Sequence, residues 1–570
     1  MNSSQRLRAR FVLGGVIVAA CGLGFSLYIT QIVNGANYSA KAHKQYSKPI
    51  VALFDRGSIF FTSKDGSHPA AATLTSSYSL YMSPKLISDP SGTYQALSQY
   101  IKLDQDQFMK KAVLKEDPYE ELAKKVDATV AQSISNLSLV GIGVNKENFR
   151  SYPWKNLAAQ TIGLIGESDG VVKGRYGLES VYEETLSRPT IGSTANIFAD
   201  LFTSVRDSVF SNDNVLYGDI VTTIEPTVQA YLEKIIGKAE SEWRPEEIGG
   251  IIMDPHTGEI IAMTSQPSFD PNDTSKITNP GIFSNRLVEN SYEMGSIMKP
   301  LTIATGLDDG VITPTWTYDD TGTMTLSGKK ISNFDGKARG VIPVQEILSQ
   351  SLNVGAATVA LKVGKVDFAK YFTSFGLGSK TGIDQPNETA GISGNLKTGR
   401  DVEIATMAYG QGIAVSPIAI TRALAVLANN GKLVRPHIVK EIDYADGSKK
   451  LITSDINTQV LKPQSVEDVT KMLVKAFDVA LRKGVFKMEH YSVATKTGTA
   501  QIADPATKSY YPDRFLHSFV GYFPAYKPKF IVFLYQKYPK STQYASDTLT
   551  EPFSELTKFL IDYYNIPPDR

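Results

Sequence analysis

One cysteine, Cys21, occurs in 570 residues. That excludes an intrachain disulfide and any cluster of cysteine metal ligands. Histidine is nearly as scarce. His43, His68, His256, His437, His490 and His517 are scattered without an H-E-x-x-H spacing, so the common zinc-protease arrangement is excluded. Charge of one sign is lacking too: 59 Lys+Arg face 58 Asp+Glu, a formal net charge of +1. A nucleic-acid binder would show a basic excess or stripe, so no nucleic-acid partner is expected. Repeats and low-complexity tracts are absent.

One long, uncharged and mostly apolar run exists, residues 11–33, preceded by Arg6, Arg8 and Arg10. About 20 such residues cross the hydrocarbon core of a bilayer. Arginines ahead of the run keep residues 1–10 in the cytoplasm and send the remainder outside. A cleaved signal peptide has a shorter apolar core of about 7–15 residues, and Val18-Ala19-Ala20-Cys21 resembles a lipoprotein cleavage box. The run continues through Leu23, Phe25, Leu27, Tyr28 and Ile29, which favours an uncleaved single-pass anchor. Each reading places the rest of the chain on the extracytoplasmic face.

A chain of this length divides into more than one domain. Residues 34–215 mix short strands and modest helices. Residues 78–82 alternate like a strand, and 104–114 and 127–137 read as amphipathic helices capped by Asp. Nothing there has the composition of a catalytic centre, so the segment reads as a spacer or docking pedestal. From 216 to 570 the pattern changes. Residues 219–224 read as a strand and 227–236 as a helix. Residues 250–254 and 259–263 form a hairpin about Pro255-His256-Thr257-Gly258. A largely helical middle runs from 298 to 430. Strands follow at 492–500, 517–523 and 530–536, then a helix at 551–563. Strands at both ends with helices between predict one antiparallel sheet flanked by helices.

Three short motifs carry chemistry. Ser296-Ile297-Met298-Lys299 puts a hydroxyl and an amine three residues apart, neighbours on one helical face. A Ser hydroxyl is a weak nucleophile until a base takes its proton, and Lys serves once burial or a second cation lowers its pKa. Ser351-Leu352-Asn353 follows a helical stretch. It reads as an ordinary cap or turn, or as a proton relay (Ser351) and an amide donor to substrate (Asn353). Lys496-Thr497-Gly498-Thr499 lies on a strand. Gly498 there leaves room for a substrate backbone, while Lys496, Thr497 and Thr499 hold a carboxylate. Each motif alone is common. Their order, S-x-x-K, S-x-N and K-T-G, is the set of the penicillin-binding proteins and serine β-lactamases.

At these residues the chain resembles the class B penicillin-binding proteins, the monofunctional peptidoglycan D,D-transpeptidases. Residues 249–272 (GGIIMDPHTGEIIAMTSQPSFDPN) are similar to the family's first hairpin, and 292–302 (YEMGSIMKPLT) to its nucleophile helix. Residues 351–356, 375–384 (FGLGSKTGID), 407–417 (MAYGQGIAVSP), 428–432 and 495–501 (TKTGTAQ) continue the likeness. Arg56-Gly57-Ser58-Ile59, Arg150-Ser151-Tyr152-Pro153 and Gly177-Leu178-Glu179 resemble the pedestal. Met294 stands where the family usually has Pro, residues 222–225 replace L-T-I-D, and 60–66 (FFTSKDG) degrade a D-R-N-G pattern. LDDGVITP at 307–314 and the Y-E-x-G-S lead-in look more like the division branch than the elongation branch.

The resemblance implies an α+β multidomain fold: a membrane anchor, a mixed α/β pedestal and a β-lactamase-like transpeptidase domain. It implies a Ser296 acyl-enzyme formed on D-Ala-D-Ala, with Lys299 as base. Ser351 and Lys496 pass a proton to the leaving D-Ala, and the N–H groups of Ser296 and Thr499 hold the oxyanion. A neighbouring stem-peptide amine then resolves the intermediate, and β-lactams acylate Ser296. No metal or organic cofactor is required. A polytopic glycan polymerase and division-site membrane proteins are the implied partners. A D,D-carboxypeptidase or β-lactamase would share the motifs but transfer to water, and a division scaffold would make catalysis dispensable. A bifunctional enzyme would add a glycosyltransferase module, which the residues after Glu116-Asp117 do not match.

Overall fold

The computed structural model describes residues 22–23, 54–114, 117, 119–168, 171–188, 216–454, 457–507 and 509–570. The anchor expected at 11–33 lies outside them except for Gly22 and Leu23, and Cys21 lies outside them too. Among the described residues no helix is long and apolar enough to cross a membrane.

The chain forms two compact units. The described part of the smaller lies chiefly in Ser76–Phe149, whereas the larger gathers Arg56–Thr75, Arg150–Arg188 and Val215–Arg570. In the smaller unit the expected helices are Gln105–Ala112 and Ala128–Asn136. Their Asp caps form as the sequence predicts: Asp104 accepts the Gln107 N–H and Asp127 the Thr129 N–H, each at 2.8 Å. Phe108, Ala112, Ala131 and Ile134 bury one face of each helix in a cluster with Leu80, Met82 and Leu97. The strand expected at 78–82 is the end of Ala70–Met82 and pairs antiparallel with Glu120–Val126.

In the larger unit three motifs far apart in sequence converge on one carboxylate. Arg56 Nε donates to Glu179 Oε2 at 2.6 Å, Arg150 Nε to Glu179 Oε1 at 2.7 Å, and the Tyr152 hydroxyl to Glu179 Oε1 at 3.2 Å. Both Arg56 and Glu179 are fully buried, so the charges persist only because they are paired and hydrogen-bonded.

The centre of this unit is a five-stranded antiparallel sheet. Its strands are β1 (Glu247–Met253), β2 (Ile260–Gln266), β3 (Ala494–Asp504), β4 (Ser509–Phe523) and β5 (Phe530–Lys537), ordered β3-β4-β5-β1-β2. Apolar residues alternate between its faces because strand side chains point to opposite sides. Ile248, Ile252, Val532 and Leu534 enter one cluster, and Ile251, Met253, Ile531 and Phe533 the other. The first face is covered by helices α1 (Pro226–Trp243) and, near the end of the chain, α6 (Thr550–Tyr564). In α1, Val228, Leu232, Ile235, Ile236 and Ala239 recur at helical spacing and are buried. The departure at 222–225 keeps its capping role, since Glu225 Oε2 accepts the Val228 N–H at 2.6 Å.

Between β2 and β3 come α2 (Lys299–Asp308), α3 (Asn353–Val363), α4 (Pro417–Ala428) and α5 (Pro463–Lys475). Every residue of α4 is buried, as expected for a helix apolar on all sides. The middle is less helical than the sequence predicts. Thr317–Asp320, Thr323–Leu326, Lys329–Ser332 and Gly340–Pro343 form two small two-stranded sheets. With four residues each, none is long enough to show a period.

Candidate active site

Ser296 sits in a tight 3-10 turn, Gly295–Met298, that feeds into α2. Gly295 has φ +65°, left-handed backbone that a side chain disfavours. The turn is tied on two sides. The Ser518 hydroxyl of β4 donates to Met294 O at 2.9 Å. Residues 292–295 lie beside 410–415, with Tyr292 N–H to Val415 O at 3.0 Å and Gly295 N–H to Gly410 O at 3.1 Å. Glu293 joins the two sides: its Oε1 accepts Gly412 N–H at 2.7 Å and the Tyr510 hydroxyl at 3.1 Å.

Lys299 is fully buried at the start of α2. Its Nζ lies 2.9 Å from Ser296 Oγ, 2.5 Å from Ser351 O, 2.8 Å from Asn353 Oδ1 and 3.2 Å from Ser351 Oγ. Burial, reinforced by the charge of Lys496, drives its pKa well below the ordinary lysine value. The carbonyl oxygens of Ser351 and Asn353 can only accept, so they take two N–H donors. In the neutral amine the remaining position is a lone pair, which accepts the Ser296 O–H. The pair is therefore arranged for proton transfer from hydroxyl to amine.

Ser351 bridges to the second lysine. Lys496 Nζ on β3 lies 2.9 Å from Ser351 Oγ and donates to Thr497 O at 2.9 Å. Burial brings Lys496 down to about 7, so its proton can leave near neutrality. Ser351 has φ +58°, an uncommon backbone for a non-glycine residue, and it directs both Oγ and carbonyl toward the lysines.

Asn353 opens α3, and both ends of its amide are engaged. Oδ1 faces Lys299, and Nδ2 donates to Ser332 O at 2.9 Å. The expected donor to a substrate amide thus holds the amine and the small sheet in place in this structure. Gly498 also differs from expectation in its physical reason. A Cβ there would come within 2.3 Å of Ser518 Oγ and 2.6 Å of Met294 O. What approaches Gly498 is the turn that carries Ser296, and the glycine lets β3 pack on it. Thr497 and Thr499 line the cleft, while Thr499 Oγ1 also accepts the Ala545 N–H at 3.1 Å.

The cleft is open and holds about 730 Å³, with Ser296, Ser351, Asn353 and Lys496 in its lining. Several of its walls lie outside the three motifs. Ser332 ends one of the small strands and Asn333 and Phe334 follow it, Tyr409 and Gln411 come from the loop beside Gly295, and Tyr544 from the loop after β5. Phe334 and Tyr544 meet edge to face, ring centroids 6.3 Å apart.

Residues 248–558 match the penicillin binding protein transpeptidase domain, and residues 55–195 the penicillin-binding protein dimerisation domain. The chain belongs to the penicillin-binding protein transpeptidase family. Together the two domains make it a class B penicillin-binding protein with a two-domain, mixed α/β fold. It is similar to stage V sporulation protein D of Bacillus subtilis (strain 168), 27% identical over 570 residues, covering 97% of this chain and 84% of that protein. It is likewise similar to peptidoglycan D,D-transpeptidase FtsI of Escherichia coli (strain K12), 25% identical over 501 residues, covering 86% and 81%. Its fold matches penicillin binding protein 2X of Streptococcus thermophilus with a TM-score of 0.72 at 19% identity, covering 91% of this chain and 82% of that one. Penicillin binding protein 3 of Mycobacterium tuberculosis, complexed with aztreonam, matches with a TM-score of 0.69 at 20% identity, covering 91% and 98%.

Proposed function

We propose that this class B penicillin-binding protein is a peptidoglycan D,D-transpeptidase acting through Ser296. The observation that carries the proposal is the 2.9 Å approach of the buried Lys299 amine to Ser296 Oγ. Ser296 Oγ attacks the carbonyl of the penultimate D-Ala while its proton passes to Lys299. The N–H groups of Ser296 and Thr499 receive the developing oxyanion, often the largest electrostatic contribution to catalysis. Collapse breaks the peptide bond, and the departing D-Ala amine takes a proton by way of Ser351 and Lys496. Lys496 and the Thr497-Gly498-Thr499 segment hold the terminal carboxylate. An amine from a second stem peptide then attacks the ester, forms the cross-link and returns the proton to Ser296.

Residues 11–33 anchor the chain in the cytoplasmic membrane, with 1–10 inside and the rest on the outer face. Residues 34–215 are the pedestal and 216–570 the transpeptidase domain. The pedestal supports contact with a polytopic glycan polymerase and division-site proteins. The likeness to FtsI of Escherichia coli favours a septal role, and the structural relative complexed with aztreonam supports β-lactams as inhibitors. The test supplies the full-length protein with a D-Ala-D-Ala peptide and an acceptor amine. A cross-linked product with release of D-Ala is expected. Hydrolysed peptide alone would reassign the enzyme as a carboxypeptidase.

A further inference from the structure

Two cations of the cleft lining, Lys330 and Arg482, take no part in the transfer chemistry. No aspartate or glutamate occurs among the described residues that line it, whereas Lys330, Lys496 and Arg482 do. Lys496 is buried and engaged with Ser351 Oγ and Thr497 O, 2.9 Å from each. Lys330 and Arg482 are the cations of the lining that Ser351 and Thr497 do not engage.

Arg482 is held by an unusual piece of backbone. After α5 the chain makes one wide turn, Ala476–Ala480, and enters Leu481–Gly484. There Arg482 (φ 48°, ψ 34°) and Lys483 (φ 57°, ψ 33°) are both left-handed. Two successive non-glycine residues in that region persist only where the surroundings enforce them, and such positions gather at functional sites. Ion pairs flank the segment on both sides. Arg570 caps the Asp478 carboxylate, with Nη2 3.0 Å from Oδ1, and also donates to Met488 O at 2.6 Å. Arg482 Nη1 meets Asp547 Oδ1 at 2.6 Å. Asp478, the acid nearest Arg482 in sequence, is thus already neutralised, and Arg482 uses one of its nitrogens on Asp547. The side chain remains 49% exposed. A planar guanidinium with free N–H groups suits a carboxylate.

We propose that Arg482 is a specificity residue that reads a second carboxylate on the stem peptide, distinct from the terminal one held at the K-T-G strand. The preferred substrate is then a D-Ala-D-Ala peptide whose preceding residue bears a free side-chain carboxylate rather than a carboxamide. This deepens the transpeptidase reading and rests on it. The test compares kcat/KM of the full-length protein on two synthetic peptides differing only in that group. The native protein prefers the carboxylate peptide by about fivefold or more, the scale of one exposed charge-assisted hydrogen bond. Arg482→Gln brings the ratio to about one, and Asp547→Asn, which frees the guanidinium, raises it. A ratio near one in the native protein, or a ratio lost in Lys330→Gln but kept in Arg482→Gln, overturns the assignment. Penicillin labelling of Ser296 is followed in parallel. A labelled protein without the preference refutes the Arg482 role alone, whereas an unlabelled one refutes the acyl-transfer reading and this proposal with it.

Discussion

Lys299 and Lys496 stand on either side of one hydroxyl, their Nζ atoms 3.2 Å and 2.9 Å from Ser351 Oγ. Two amines so close, both buried, cannot comfortably both be charged. Burial lowers each pKa, and the charge of Lys496 lowers Lys299 further. The arrangement places an amine whose neutral form is favoured by burial beside Ser296, and a second lysine brought down to about 7 beyond it, with a serine between them.

Lys299 must be neutral to accept the Ser296 proton, so acylation by penicillin rises as that lysine deprotonates. Lys496 must be charged to donate, so the rate falls as pH climbs through about 7. Both limbs belong to the coupled pair rather than to one residue. Lys496→Arg, always charged, moves the alkaline limb upward. Acylation rates measured across the neutral range would contradict this if the native profile stayed flat.

Lys496 also links stability to pH. Its folded pKa lies below the unfolded lysine value, so between about 7 and 10.5 the unfolded chain binds more protons. Stability therefore rises with pH across that window, and the cost of the buried charge is fully present below it. Lys496→Met removes the charge. The variant is expected to melt above the native protein at a pH below 7, with the gap shrinking toward pH 10. A gap that is constant with pH would count against the buried-charge account.

Glu179 compensates two buried guanidinium groups at 2.6 and 2.7 Å. Removing one partner of a buried pair leaves uncompensated charge and costs about 3–5 kcal/mol. Glu179→Gln should lower unfolding stability by that amount in denaturant titrations, with acylation kinetics little changed in protein that remains folded. A loss of only a few tenths of a kcal/mol would mean that the cluster is solvated.

Gly498→Ala tests the packing of the nucleophile turn. The added Cβ meets the Met294 carbonyl and the Ser518 hydroxyl, so the turn must shift. Misplacement of a reacting group by about 1 Å costs about 10²-fold. Penicillin acylation should fall on that scale while circular dichroism remains native. Unchanged acylation would show that the strand yields instead.

Much of this arrangement could be read from sequence, and the exceptions have physical causes. The i, i+3 spacing of Ser296 and Lys299 specifies their contact because both belong to one helical turn. The Asp104 and Asp127 caps and the β1–β2 hairpin are equally local. Ser351 and Lys496 are brought to Lys299 by tertiary packing, and only the family resemblance joined them. The walls at Ser332–Phe334 carried no sequence signal, since their strands are too short for a period, and the likeness at 407–417 marked the segment of Tyr409 and Gln411 without showing that it faces the cleft. Asn353 shows the same limit: its type indicated a hydrogen-bonding role, but whether it faces substrate or lysine depends on Lys299 and Ser332, 54 and 21 positions away.

The measurement that tests the central claim most directly is intact-protein mass spectrometry after exposure to penicillin. The native chain is expected to gain one penicilloyl mass, mapped by peptide analysis to Ser296, and Ser296→Ala to gain none. An adduct retained in Ser296→Ala, or mapped to another residue, would contradict the account.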